Sequence, residues 1–174
     1  MLPVWTIGHS TRPIADFEHT LVAHGIETVI DVRRFPGSRR LPQFESSALE
    51  HALARTGIAY RWIPELGGRR RATGEPVDSA WRHPAFRAYA EHVRTEAFAD
   101  GLLELLTIAH GLRSAVMCAE ILWWRCHRRL IADVLTSLSM EVIHIRDATH
   151  AEVHRLTSPA RLVEGTLTYV PDPG

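Results

Sequence analysis

Two cysteines, the only ones in the chain, bracket the run Cys118-Ala-Glu120-Ile-Leu-Trp-Trp-Arg125-Cys126-His127-Arg128-Arg129. Thiol, carboxylate, imidazole and guanidinium are crowded there into one short stretch. A thiol at the start of a helix, next to histidine and arginine, has its pKa lowered and can act as a nucleophile. That makes Cys126 the candidate nucleophile, His127 a candidate proton carrier, and Glu120 a base or the group that orients a histidine. Cys118 closes an apolar strand and reads as an inert core thiol. A phosphatase loop needs cysteine, five residues and arginine; Cys118 reaches Arg125 after six, and Cys126 has no arginine at that offset. Zinc ligands normally come as Cys-x2-4-Cys, and a gap containing two tryptophans suits a structural site poorly, so no metal ligand is assigned.

Anion binding is the second chemistry in the run. Helix N-termini offer free N–H groups and a positive dipole end, so Arg128 with His127 and the first amides of its helix could hold a phosphate or carboxylate. The competing reading pairs Arg128 and Arg129 with Glu120 or Asp133 in solvent. Arg33, Arg34 and the Gly67-Gly68-Arg-Arg-Arg loop add positive charge, and His9 and Ser10 follow a short apolar run near the start. Trp62, Trp81, Trp123 and Trp124 could stack on bases, although tryptophans more often fill a core.

The elements that must position these groups follow from periodicity. Val4 to Ile7, Thr28 to Val32, Ala59 to Ile63, Ser114 to Ala119 and Glu141 to Ile145 read as strands. Between them fall helices from Pro13 to Gly25, from a Ser47/Glu50 capping box to Gly57, from Pro84, from Leu102 to His110, and after Cys126. Strands alternating with helices imply an α/β single domain over 1–174, a mainly parallel sheet of about five strands with helices on both faces. Residues 65–83, rich in glycine, proline and arginine, read as a flexible loop. Right-handed crossovers put every strand-to-helix turn at the carboxyl edge, where ligands of open sheets bind. Strand order does not follow from the sequence, so which turns meet is open.

Of the 174 residues, 20 are arginine, none is lysine, and 20 are acidic, so net charge gives no long-range steering toward nucleic acid or membrane. The first ten residues lack the pattern of a signal peptide, and no apolar run is long enough to span a bilayer. A cytoplasmic protein with free thiols is expected.

The motifs TIGHS at 6–10, DVRRFPGSRR at 31–40, PQF at 42–44, ELGG at 65–68, FRAY at 86–89, MCAE at 117–120 and CHRRLIAD at 126–133 resemble the bacterial family catalogued as domain of unknown function 488. The resemblance spans nearly the whole chain. It implies a compact intracellular α/β domain, and it carries no established reaction, substrate or cofactor.

From these readings the expected function is an enzyme acting on a phosphate-bearing substrate, a nucleotide or nucleic acid, at the carboxyl edge. Arg33, Arg34 and Arg128 would clamp the anion with Ser10, Gly67 and Gly68 nearby, and His9 or His127 would carry protons. The alternatives are a non-catalytic nucleic-acid-binding protein and a thiol- or metal-dependent protein built on Cys118, Cys126 and His127. Oligomeric state is not legible.

Overall fold

A computed structural model describes residues 2–72 and 79–171. Six strands form one sheet in the order β3-β2-β4-β1-β5-β6: β1 (Val4–Gly8), β2 (Thr28–Asp31), β3 (Ala59–Trp62), β4 (Ser114–Cys118), β5 (Val142–Ile145) and β6 (Ala151–Val153). The first five run parallel, and β6 is antiparallel to β5. The expected α/β fold with a mainly parallel sheet is present, with one strand more than the periodicity indicates. A hairpin of β7 (Arg161–Val163) and β8 (Thr166–Thr168) follows, turning through Glu164 and Gly165 at positive φ.

Side chains alternate across the sheet, as a strand period of two requires. Trp5, Ile7, Val29, Ala115 and Met117 pack against α1 (Ile14–Ala23) and α2 (Ser46–Arg55), whose Phe17, Leu21, Leu49 and Leu53 are fully buried. Val4, Ile30, Val32, Val116 and Cys118 face the other way, toward α3 (Pro84–His92), α4 (Glu96–Gly111) and α5 (Arg128–Ser137). Both faces of β1, β2 and β4 are therefore covered, as their full burial shows, while the edge strands β3 and β6 stay largely exposed.

Two helix starts differ from expectation. The cap of α2 is Glu45, whose carboxylate accepts from the Ser47 and Ala48 amides, so the expected Ser47/Glu50 capping box does not form. The tight turn Pro42–Phe44 delivers Glu45 to that position one residue before the helix. Helix α4 begins at Glu96, capped by Thr95, and runs through Gly101. Glycine is needed there for close packing, because a Cβ would lie 2.8 Å from the Glu65 side chain.

The ends of the 65–83 stretch are packed: Leu66 is fully buried and Trp81 stands in the core beside Phe86 and Tyr169. Residues 73–78 of that stretch lie outside the described residues. Among the described residues no helix is long and apolar enough to cross a membrane.

Candidate active site

Strand order decides which turns meet. With β4 between β2 and β1, Gly8 is level with Cys118 and Asp31 with Met117, so three strand ends open side by side. The chain leaves β4, passes Glu120 and a single turn at Trp123–Arg125, and enters α5 at Arg128. That return brings Cys126 back onto Cys118, with the two Sγ atoms 2.6 Å apart.

Around the sulfurs the hydrogen bonds fix roles. His127 Nε2 lies 2.9 Å from the Val32 carbonyl, which can only accept, so Nε2 carries a proton and Nδ1 faces Cys126 Sγ at 3.5 Å. Arg128, 1% exposed, extends behind the thiols and donates to Thr6 Oγ1 at 3.2 Å and to the Glu120 carbonyl. Burial alone would raise the Cys126 thiol, but the hydrogen bond from Cys118, the charge and hydrogen bond of His127, and the charge of Arg128 outweigh it and pull its pKa well below the ordinary thiol range. Cys118 moves the opposite way, pushed up by burial and by its bond to Cys126. The two sulfurs are thus driven apart, with Cys126 favoured as the thiolate of the pair and Cys118 as the thiol.

In front of the sulfurs opens a cavity of about 260 Å³, lined by Arg33, Arg34, Arg69, Arg125, Phe35, Phe86, Tyr89, Gly68, Glu120 and His127 among others. Gly68 lies flat on the His127 ring: a Cβ there would come within 2.8 Å of Nδ1. Gly67, beside it, is crowded by the Arg34 backbone. Phe35 is 64% exposed at the rim, next to the Arg34 guanidinium.

The sequence-derived site residues thus divide into two groups. Glu120, Cys126, His127, Arg34 and Gly68 come together at the cavity, with Arg33 on its wall. Arg33, however, spends its guanidinium inside the protein, on both oxygens of Asp31 and on the Phe44 carbonyl. Its charge is held up against burial by the hydrogen bonds and charge of Asp31. Arg128 sits behind the nucleophile, not on the cavity wall, and meets the Glu120 carbonyl, not its carboxylate. His9 stacks on Phe44 at 4.2 Å, lies 2.8 Å from the Ser10 carbonyl and 3.3 Å from Arg33 Nη1, and does not line the cavity. Its pKa is lowered to about 4, chiefly by burial, so it is neutral at pH 7. Ser10 turns the chain at positive φ, its amide bonded to the Ala119 carbonyl. Of the tryptophans, Trp81 is core, Trp123 stacks on His144 at 4.1 Å, and Trp62 and Trp124 are partly exposed. Among the described residues no group of three or more His, Cys, Asp or Glu side chains is arranged to hold a metal ion.

Sequence reasoning missed a buried chain of hydrogen bonds behind Arg128. Thr6 Oγ1 meets His144 Nδ1 at 2.7 Å, His144 Nε2 meets His154 Nδ1 at 2.9 Å, and His154 Nε2 meets Asp133 Oδ1 at 2.9 Å. Arg128 only donates and the Asp133 carboxylate only accepts, so donation runs one way from the guanidinium to the carboxylate. Burial and the neighbouring His154 and Arg128 lower His144 to about 2, which keeps it neutral in that chain. The one signal in the sequence is an aspartate inside the apolar run Leu130–Leu135 of α5, where every residue is buried.

The family model described as Domain of unknown function DUF488 matches residues 13–135. The chain belongs to the DUF488 family. The matched span of this DUF488 chain holds both cysteines, Arg34, Glu120, His127, Arg128 and Asp133, while Thr6, His9, His144 and His154 lie outside it. No curated protein and no solved structure matches the chain.

Proposed function

We propose that this DUF488 protein is a cysteine-dependent enzyme acting on a phosphate-bearing substrate, a nucleotide or nucleic-acid end. The observation that carries the reading is Cys126 beside His127 Nδ1 and Arg128, its thiol pKa pulled down by both, at the floor of a cavity rimmed by Arg34, Arg69 and Arg125. An arginine rim favours an anion because guanidinium matches phosphate oxygens in a forked geometry. Phe35 and Phe86 on the same wall offer faces on which a base can stack. Cys126 bonds to the electrophilic centre beside the phosphate as that centre's bond to its leaving group breaks, and water then displaces the sulfur to free the product and the thiol. Glu120, half-buried on the wall, and His127 are placed to move the proton of the leaving group or of water. Arg128 serves as the thiolate's counter-charge in this reading, and Arg33 and His9 shape the wall from behind.

Alkylation by iodoacetamide, followed by mass spectrometry, tests the reading without knowledge of the substrate. Cys126 should react at pH 6 to 7 far faster than a free thiol, and nucleotides or inorganic phosphate should protect it while a nucleoside without phosphate protects less. Reaction only above pH 8, or no protection by any anion, overturns it.

A second reading, binding of a nucleic-acid strand without chemistry, has one observation in its favour. A neighbouring cavity lined by Arg34, Arg69, Arg70 and Arg71 continues the arginine rim away from Cys126. Strand binding predicts an affinity that falls steeply with salt and survives Cys126→Ala.

A further inference from the structure

Cys118 has no task in the reaction just proposed, yet its sulfur lies 2.6 Å from that of the nucleophile. The two Sγ atoms are about half an ångström beyond the length of a disulfide bond. Both cysteines line the same cavity, so a small solute that reaches one reaches the other. Cys118 ends a strand fixed by its ladder to β1, and Cys126 is fixed by the turn at Trp123–Arg125, whose last amide bond runs from Cys126 N to the Trp123 carbonyl. The sulfurs are therefore held together by backbone already in place, and bonding them asks for little movement.

We propose that Cys126 is an oxidation site for hydroperoxides and that Cys118 is its resolving thiol, the two closing a reversible intramolecular disulfide. The proposal rests on the Cys126 thiolate of the preceding reading and not on its substrate. The Cys126 sulfur attacks the outer oxygen of the peroxide, the O–O bond breaks, and the alkoxide leaves as an alcohol (water, from hydrogen peroxide) with the proton held at His127 Nδ1. Cys126 is then a sulfenic acid. The Cys118 sulfur attacks the Cys126 sulfur, the S–O bond breaks, and hydroxide leaves as water with the proton of Cys118. Two thiols have given two electrons to one peroxide. A low-molecular-weight thiol reverses the bond by two exchange steps, becoming a disulfide itself. Polarity suits this division of labour, since the thiolate strikes first and the neutral thiol second. Arg128, hydrogen-bonded to Thr6 behind the sulfurs, keeps positive charge next to the attacking sulfur, on the side away from the peroxide.

The test is hydrogen peroxide added to the reduced full-length protein, read by intact mass and non-reducing peptide mapping. Expected are a mass lower by two hydrogens, a peptide joining Cys118 to Cys126, and full reversal by dithiothreitol. Cys118→Ser should instead stop at a sulfenic acid that dimedone traps, and Cys126→Ser should resist oxidation. Successive oxygen additions to the wild type without a crosslink overturn the proposal, and that result needs no variant to fold. Fast alkylation of Cys126 without a crosslink removes the disulfide and leaves the enzyme reading standing. A crosslink in a protein whose Cys126 alkylates fast at pH 6 to 7 but is protected by no anion removes the enzyme reading instead.

Discussion

Asp133 anchors the buried network with both carboxylate oxygens, and its replacement gives a graded test of that network. Its fully buried carboxylate accepts four hydrogen bonds: from His154 Nε2 and Thr157 N at 2.9 Å each, from Thr157 Oγ1 at 2.6 Å and from Tyr169 Oη at 3.0 Å. Two of these donors are N–H groups that cannot reverse, and both meet Oδ1. The two on Oδ2 are hydroxyls that can also accept. Asp133→Asn can keep its oxygen toward His154 and Thr157 N and donate its amide to the hydroxyls. It loses mainly charge assistance, about 1 to 2 kcal/mol. Asp133→Ala leaves all four donors without their acceptor, which costs about 3 to 5 kcal/mol. For a domain of this size the melting point should fall by about 2 to 8 °C for Asn and by about 6 to 20 °C for Ala. Calorimetry or circular dichroism at pH 7.5 measures both. If the two variants melted within a degree or two of each other, the assignment of the donors would be wrong.

Three further outcomes are expected. Gly8→Ala would set a Cβ 2.1 Å from the Glu120 carbonyl oxygen, a backbone atom that also receives Arg128, so it should cost about 3 kcal/mol or fail to fold; wild-type melting would refute the close approach. Gly68→Ala pushes its Cβ into the His127 ring, so the Cys126 alkylation rate at pH 6.5 should fall several-fold while the rate above pH 10 stays unchanged; equal rates at pH 6.5 would clear His127 of any role in holding the thiolate. Acid should destabilise the fold, because His9 and His144 have pKa values lowered from 6.5 to about 4 and about 2. The unfolded chain takes up their protons below pH 6.5 while the folded chain does not, so stability falls with pH, by about 4 kcal/mol from the two together between pH 7 and pH 5. Urea midpoints at the two pH values measure this, and His144→Asn should roughly halve the loss; unchanged midpoints in the wild type would exclude two buried neutral histidines.

What the sequence made legible was local. The parallel strands declare themselves as short segments of four or five residues, mostly apolar except β3 with its Arg61, and Cys126, His127, Arg128 and Glu120 could be grouped because one short return of chain carries them all. Strands β6, β7 and β8 are three residues long, too short to show a period. The first turns of α4 stayed hidden because Gly101 looks like a break when it is a contact. Arg33 and His9 are placed by the sequence at the correct edge. The partners that occupy them, Asp31 and Phe44, follow from side-chain direction on β2 and from the packing of the turn at Pro42–Phe44. The Thr6–His144–His154–Asp133 chain joins residues of β1, β5 and α5 with the residue just after β6, and no spacing rule connects position 6 to position 144.

Arg128 is where these layers meet, and its position argues for treating the thiols and the buried chain as one electrostatic unit. A guanidinium 1% exposed must be balanced, since burying an isolated charge is prohibitive. Burial works against its charge, and the negative sulfur of the cysteine pair restores it. The same charge helps keep Cys126 ionised and His144 neutral. Its Nη1 is fixed by Thr6, which in turn donates to His144, and its Nη2 by the Glu120 carbonyl, so the group cannot turn toward the cavity without breaking both. Removing Asp133 or His144 therefore loosens Thr6 and, through it, the counter-charge of the nucleophile, although neither residue lines the cavity. The reactivity of Cys126 should accordingly track the integrity of a network that ends on the far side of α5.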